Sequence, residues 1–236
     1  MESLADLLPL GLAWFVVFLF STTLHEASHA FIALRLGDPT AYHGGQVTLN
    51  PLPHVRREPF GMVLVPILSF FMGGWMFGWA SAPYDPRWAL HHPRRAAWMA
   101  LAGPAANLLL VIVAGLLIRV GMWAGYFHAP QVVRFSEVTA AADLPAAAGL
   151  ATLLSVLFTL NLVLFVFNLL PLPPLDGSGV VQLLMSGDLA RRYQTLVRQP
   201  MLAWVGILIA WRFFGPIFRP IHGLALSLLY PGAGYQ

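Results

Sequence analysis

Residues 8–36 form an apolar run long enough to cross a bilayer, and within it stands Leu24-His25-Glu26-Ala27-Ser28-His29-Ala30. Such a run folds as a helix, because hydrocarbon offers backbone N–H and C=O groups no partners outside the segment itself. On a helix, residues four apart differ by about 40° in azimuth, so His25 and His29 share a face and can direct ring nitrogens at one metal ion. Glu26 stands on the flank of that face. An ionisable residue at bilayer depth costs about 2.5–3.5 kcal/mol on insertion scales. Two histidines and a carboxylate there imply a compensating partner, and zinc suits this residue set. An isolated HExxH also arises by chance on solvated helix faces. Here Trp14-Phe15-Val16-Val17-Phe18-Leu19-Phe20 precedes it and Phe31-Ile32-Ala33-Leu34 follows, so a solvated face is not on offer.

The composition extends this reading to the whole chain. Of 236 residues, 58% are hydrophobic and 10% charged, where soluble domains carry about a quarter charged residues. The balance excludes an ordinary soluble domain. It indicates an all-α polytopic membrane protein, one membrane-embedded domain over residues 1–236 with about four to six membrane segments. Cysteine is absent, which excludes disulfides and thiolate ligands. All 13 basic residues are arginines scattered among loops, so the formal charge of +3 reads as a topology signal and not as a nucleic-acid footprint. The acidic start Met1-Glu2-Ser3-Leu4-Ala5-Asp6, with the metal motif inside the first apolar run, argues against a cleaved signal peptide.

In chain order, the first helix ends at Gly37-Asp38-Pro39, and residues 40–59 are polar and turn-rich. Gln46-Val47-Thr48-Leu49 has strand character, so a short β-hairpin or a re-entrant region is expected within residues 40–80. Residues 60–80 are apolar but interrupted by Gly61, Pro66, Gly73-Gly74 and Gly78. Helices follow over residues 96–120 and 147–170, and a last apolar stretch over 201–229 is expected to break near Gly215-Pro216 and Pro220. Trp75, Trp79, Trp88 and Trp98 read as an interfacial belt, and His43, His128 and His222 as chemically silent.

A catalytic zinc ion usually has three protein ligands. Asp176 follows the Pro-rich break Pro171-Leu172-Pro173-Pro174, where unwound backbone can turn a side chain inward, although an Asp-Gly turn at a helix end accounts for the same residues. Asp38 reads as a cap after the first helix, Asp143 as a loop residue, and His91-His92 lie among arginines before Pro93.

Three stretches together carry a resemblance. His25-Glu26-Ala27-Ser28-His29, Gly103-Pro104-Ala105-Ala106-Asn107 and Asn168-Leu169-Leu170-Pro171-Leu172-Pro173-Pro174-Leu175-Asp176-Gly177 resemble, in order, the motif set of the site-2 protease family of intramembrane zinc metalloproteases. Gly44 to Pro53 also resembles the family's loop after the first core helix. The resemblance implies that His25, His29 and Asp176 bind zinc and that Glu26 is the catalytic carboxylate. It further implies that Asn168 contacts substrate or the developing oxyanion and that Asn107 supports the site. The loop reads His54-Val55-Arg56-Arg57-Glu58-Pro59, a departure from the family's pattern, and His54 is assigned no role. The chain resembles a minimal member without PDZ or CBS modules.

The implied activity is hydrolysis of peptide bonds in or near transmembrane segments of membrane-protein substrates. The partners are then such substrates and the lipid bilayer, with no nucleic acid. Water activated by zinc would pass its proton to Glu26, and the strand-like Gln46–Leu49 would pair with the unwound substrate. If residues 60–80 dip in and return, Arg35, Arg56, Arg57, Arg87, Arg94, Arg95, Arg191, Arg192 and Arg198 share one side, leaving four of the 13 arginines elsewhere. The positive-inside rule favours that arrangement over a crossing. The expectation is a multi-pass protein of a prokaryotic cell membrane with its site nearer the cytosolic face. A membrane metal transporter, or a non-catalytic zinc-binding membrane protein, is the alternative.

Overall fold

The computed structural model describes residues 4–142, 145–233 and 235. Asp143 and the start Met1-Glu2-Ser3 lie outside the described residues. The chain opens with α1 (Leu4–Leu36) and two short helices, α2 (Thr40–His43) and α3 (Pro51–Arg57). A π-helical turn (Phe60–Leu64) runs into α4 (Val65–Gly73), and α5 (Pro86–His91) precedes α6 (Pro93–Trp123). A two-stranded antiparallel pair, β1 (Phe127–His128) and β2 (Ala140–Ala141), lies in the loop before α7 (Pro145–Asn168). Then come α8 (Asp176–Val180), a 3₁₀ turn (Val181–Leu184), α9 (Gly187–Val197) and α10 (Pro200–Leu229).

Among the described residues, α1, α6, α7 and α10 are the helices long and apolar enough to cross a membrane. The all-α, multi-span architecture read from composition is therefore the observed one. Helix α6 is its centre and packs against both α1 and α7. One buried cluster joins Val111, Ala114 and Ile118 of α6 to Ala151, Leu154 and Phe158 of α7 and to Phe218 and Leu226 of α10. A second joins Trp14, Val17 and Phe18 of α1 to Phe70, Met76, Val156 and Leu160.

Residues 60–80 go out and come back. The helical part, Phe60–Gly73, is about 21 Å long at 1.5 Å per residue, short of the roughly 30 Å of hydrocarbon. Beyond Gly74 the chain returns beside it: Trp79 N donates to Gly61 O (3.2 Å), and Phe77 N donates to Ser69 Oγ (3.1 Å). The returning chain thus brings residue 79 back beside residue 61, so the two ends of the segment lie next to one another. A methyl group at Gly78 would stand 2.1 Å from Gly61 O and 2.8 Å from Phe18 Cζ, so only hydrogen fits where the returning chain crosses the helix.

Two expectations require correction, and a third holds only in part. Gln46–Leu49 forms bends and not a strand, because Gln46 is buried with its amide nitrogen bonded to Ser81 O (3.3 Å) and the chain turns at once into α3, capped by Asn50. Helix α10 does not break at Pro216 or Pro220. Each proline lacks an N–H and frees one carbonyl, but Phe214, Phe218 and His222 stack at centroid spacings of 5.1 and 5.3 Å along a face that spans both prolines. Of the four tryptophans, Trp88 is buried among Ala33, Ala89, Ala96 and Met99, whereas Trp75 and Trp79 line an open cavity and Trp79 is half exposed. Trp98 alone of the four is broadly exposed away from that cavity.

Gly78→Ala is expected to lower stability by about 1–3 kcal/mol, the usual cost of overpacking, seen as a lower melting temperature in detergent. An unchanged melting temperature would mean that the returning segment does not pack as described.

Candidate metal centre

His25 and His29 project from one face of α1 toward α6, and Asp176 reaches the same point as the first residue of α8. Helix α7 stops at Asn168, and the prolines that follow force tight turns, with Leu172 N on Leu170 O and Leu175 N on Leu172 O. Leu170 and Leu175 anchor that turn against Ala210 of α10, so Asp176 faces inward. His25 Nε2 lies 3.0 Å from His29 Nε2 and 3.1 Å from Asp176 Oδ2, and His29 Nε2 lies 3.3 Å from that same oxygen.

The remaining ring nitrogens decide what these atoms are. His29 Nδ1 contacts the Met99 carbonyl at 2.7 Å, which can only accept, so Nδ1 carries the proton. His25 is fixed by a longer chain of logic. Asn161 Nδ2 must face the Leu157 carbonyl (2.8 Å), which leaves Asn161 Oδ1 to accept from Asn107 Nδ2 (2.8 Å). Asn107 Oδ1 then accepts from His25 Nδ1 (2.5 Å). Asn161 Nδ2 also donates to Ser21 Oγ (2.9 Å), so the relay ties α1, α6 and α7 together. Asn107, Asn161 and Ser21 are all fully buried.

Both Nε2 atoms therefore present lone pairs, and Asp176 adds a third acceptor. Three acceptors this close repel one another unless a cation lies between them. Ligand atoms about 2.0–2.1 Å from a tetrahedral zinc ion stand about 3.3 Å apart, and the three separations here are 3.0, 3.1 and 3.3 Å. The donor set fits such an ion. Gly103 of α6 provides clearance: a methyl group there would lie 2.3 Å from His29 Nε2 and 2.5 Å from His25 Nε2.

The site opens on a cavity of about 1930 Å³ enclosed by α1, the returning segment 75–84, α7, α8 and α10. Glu26, 6% exposed, lines it beside the ligands, and so does Asn168, whose amide donates to Leu164 O (3.0 Å).

Sequence comparison bears on this arrangement. The profile of peptidase family M50 matches residues 13–210, a span that takes in every residue just described. The chain belongs to peptidase family M50. It is 37% identical over 177 residues to YwhC of Bacillus subtilis, named a candidate zinc metalloprotease, with 74% of this chain and 70% of that protein covered. It is 30% identical over 164 residues to Rip2 of Mycolicibacterium smegmatis and 31% identical over 171 residues to Rip2 of Mycobacterium tuberculosis, which carry the same description. The chain spans about half the length of the Rip2 proteins, 54% in each case. No solved structure matches it.

Within this M50 chain the structure brings His25, Glu26, His29, Asn107, Asn168 and Asp176 to one cavity wall or its immediate support. Asp38 is buried in the turn between α1 and α2, accepting from Thr40 N (3.0 Å) and from Asp85 N (2.7 Å). His54 is buried, its Nε2 bonded to Thr48 O, away from the site. His222 does line the cavity. Sequence reading missed Asn161 and Ser21. The available signal was Asn161 two helical turns before Asn168, an amide within a helix whose other polar residues before Asn168 are hydroxyls.

Asn107→Ala is expected to weaken metal binding about 10–100-fold, the usual cost of losing a ligand's hydrogen-bond partner, measured by chelator competition. Gly103→Ala is expected to abolish stoichiometric binding while leaving the helix content unchanged by circular dichroism. Metal bound normally by Gly103→Ala would disprove the close approach of α6 to the ligands.

Proposed function

We propose that this chain is an intramembrane zinc metalloendopeptidase that cleaves peptide bonds in or near transmembrane segments of membrane-protein substrates. The observation that carries the reading is three mutually facing acceptors, His25 Nε2, His29 Nε2 and Asp176 Oδ2, beside the buried carboxylate Glu26 at the edge of a cavity between membrane spans. Membership of family M50 and the names of its relatives support it.

His25, His29 and Asp176 would hold the zinc ion, with both imidazoles locked by their Nδ1–H bonds to Asn107 and Met99. When bound, zinc supplies Lewis-acid activation of a water molecule and of the peptide carbonyl. Glu26 would accept a proton from the water that attacks the carbonyl carbon and deliver it to the leaving nitrogen as the C–N bond breaks. Asn168 is assigned to the substrate or the developing oxyanion.

Peptide hydrolysis requires an extended substrate, whereas a transmembrane helix keeps its carbonyls in internal hydrogen bonds. The substrate unwinds in the cavity. The expected edge at 46–49 is not formed, and residues 76–84, which are non-helical and line the cavity, take its place as main chain available for pairing. The arginine distribution supports a cytosolic location for the ends of α1 and α6 nearest the site, in a prokaryotic cell membrane.

Purified protein is expected to carry about one zinc ion per chain and to cleave a transmembrane peptide in detergent. Glu26→Gln keeps the metal and loses about 10²–10⁴-fold in rate, the range for a general base. Asp176→Ala loses metal affinity as well. Metal analysis beside cleavage assays decides the matter: a Glu26→Gln protein that cleaves normally, or a wild type that binds no zinc, defeats the proposal. Metal flux in liposomes without proteolysis would identify a transporter.

A further inference from the structure

Two polar side chains on the cavity wall have no part in the ligand set or in the reaction above. Gln182 lies on the 3₁₀ turn after α8 and Gln194 on α9, and both elements pack against α6, whose Ala96, Met99 and Ala100 line the same cavity. They are 3% and 4% exposed, yet Oε1 of each has no hydrogen-bond partner among the described residues. A buried carbonyl oxygen without a donor is unfavourable and rare. Two of them lining one cavity, the first only six residues beyond Asp176, point to a ligand that brings donors. Neither amide carries a charge, which suits neutral N–H groups better than an ammonium group.

An unwound polypeptide brings such groups. Each residue released from a helix exposes a main-chain N–H that must find an acceptor wherever water is scarce. We propose that Gln182 and Gln194 form a subsite for main-chain N–H groups of the unwound polypeptide, on the side of the metal centre that leads toward α9. Helix α9 is amphipathic, with Arg191 and Arg192 at the surface and Ala190 and Gln194 turned inward, so the subsite lies between the metal ligands and the arginine-rich face. The proposal rests on the reading of the chain as a protease of unwound membrane segments and identifies where part of that segment is held.

The test uses the Glu26→Gln protein loaded with zinc, so that binding is measured without cleavage. The probe is a fluorescent Leu/Ala transmembrane peptide with a central Asn-Pro helix break, titrated in detergent. Gln182→Met and Gln194→Met, each added to that background, are expected to weaken binding about tenfold, one hydrogen bond's worth, with zinc content and melting temperature unchanged. A second series replaces the peptide's amides one at a time by esters, which removes single N–H donors. One or two positions are expected to weaken binding by a similar factor in the parent and to add nothing in the Met variants. Unchanged affinity in both Met variants, ester effects that persist in them, or no saturable binding overturns the proposal. Should a Met variant fail to fold, an ester scan of the parent in which no position matters overturns it alone. Failure of the protease reading shows separately, as no cleavage of the same peptide by zinc-loaded wild type, and leaves the binding comparison decisive.

Discussion

Three hydrogen-bond acceptors aimed at one point inside an apolar helix bundle are the constraint on which the rest of this structure depends. His25, His29 and Asp176 stand close enough to repel, and the two imidazoles are held there by hydrogen bonds on their far sides. The Met99 carbonyl fixes one imidazole. Asn107 fixes the other, and Asn107 is itself oriented by Asn161, whose amide is locked by the Leu157 carbonyl and Ser21. A backbone carbonyl on α7 therefore determines which nitrogen of a histidine on α1 carries a proton. This chain of orientation explains how fully buried asparagines are tolerated at bilayer depth, where an unpaired amide is costly.

The same constraint shapes the backbone. Ligands on α1 and α8 can meet only if α6, which lies between them in packing, yields space, and Gly103 is where it does. Asp176 can turn inward only if α7 stops, which the prolines after Asn168 ensure. Non-helical backbone at membrane depth survives where it lines a protein cavity. Both non-helical stretches here, the turn after α7 and the returning segment 76–84, border the cavity that contains the site. Helix α10 closes the opposite wall, packing mainly on α7 and reaching the returning segment through Trp211 and Phe77, centroids 6.0 Å apart.

What could be read from the chain before its structure divides along physical lines. Spanning helices were legible because length and apolarity suffice to specify them, and their observed limits differ from the expected ones by a few residues. His25 and His29 were legible because helical periodicity places them on one face. Asp176 was legible as a candidate only: nothing local distinguishes an inward aspartate from an Asp-Gly turn, and the resemblance to a known motif set was needed to choose it. Pro216 and Pro220 misled, since the breaking tendency of proline is local while the aromatic face that carries α10 through them is a property of the packed helix. Gln46–Leu49 misled for the same reason, its β-propensity overridden by the burial of Gln46 and the cap at Asn50. Asn161, Gln182 and Gln194 carry no motif, and their significance exists only once the elements around them are assembled.

The ligand set also has an energetic meaning for the fold. Its three members come from two separate parts of the chain, and their orienting partners come from α6 and α7, so an ion held at the centre joins elements that otherwise meet through small residues such as Gly103, Ala100 and Gly179. Small-residue contacts allow close helix approach but contribute little burial of their own. Without an ion the three acceptors oppose the approach that those residues permit, and with one they reinforce it. On the proposed ligand assignment, metal binding and the packing of α1, α6 and α8 are one equilibrium rather than two, as in other sites where ligands converge only in the folded state. Helix α10 supplies no ligand among the described residues, but it takes part in the site's support, because Ala210 packs against Leu170 and Leu175 of the turn that presents Asp176, and Phe218 and Leu226 join the core of α6 and α7.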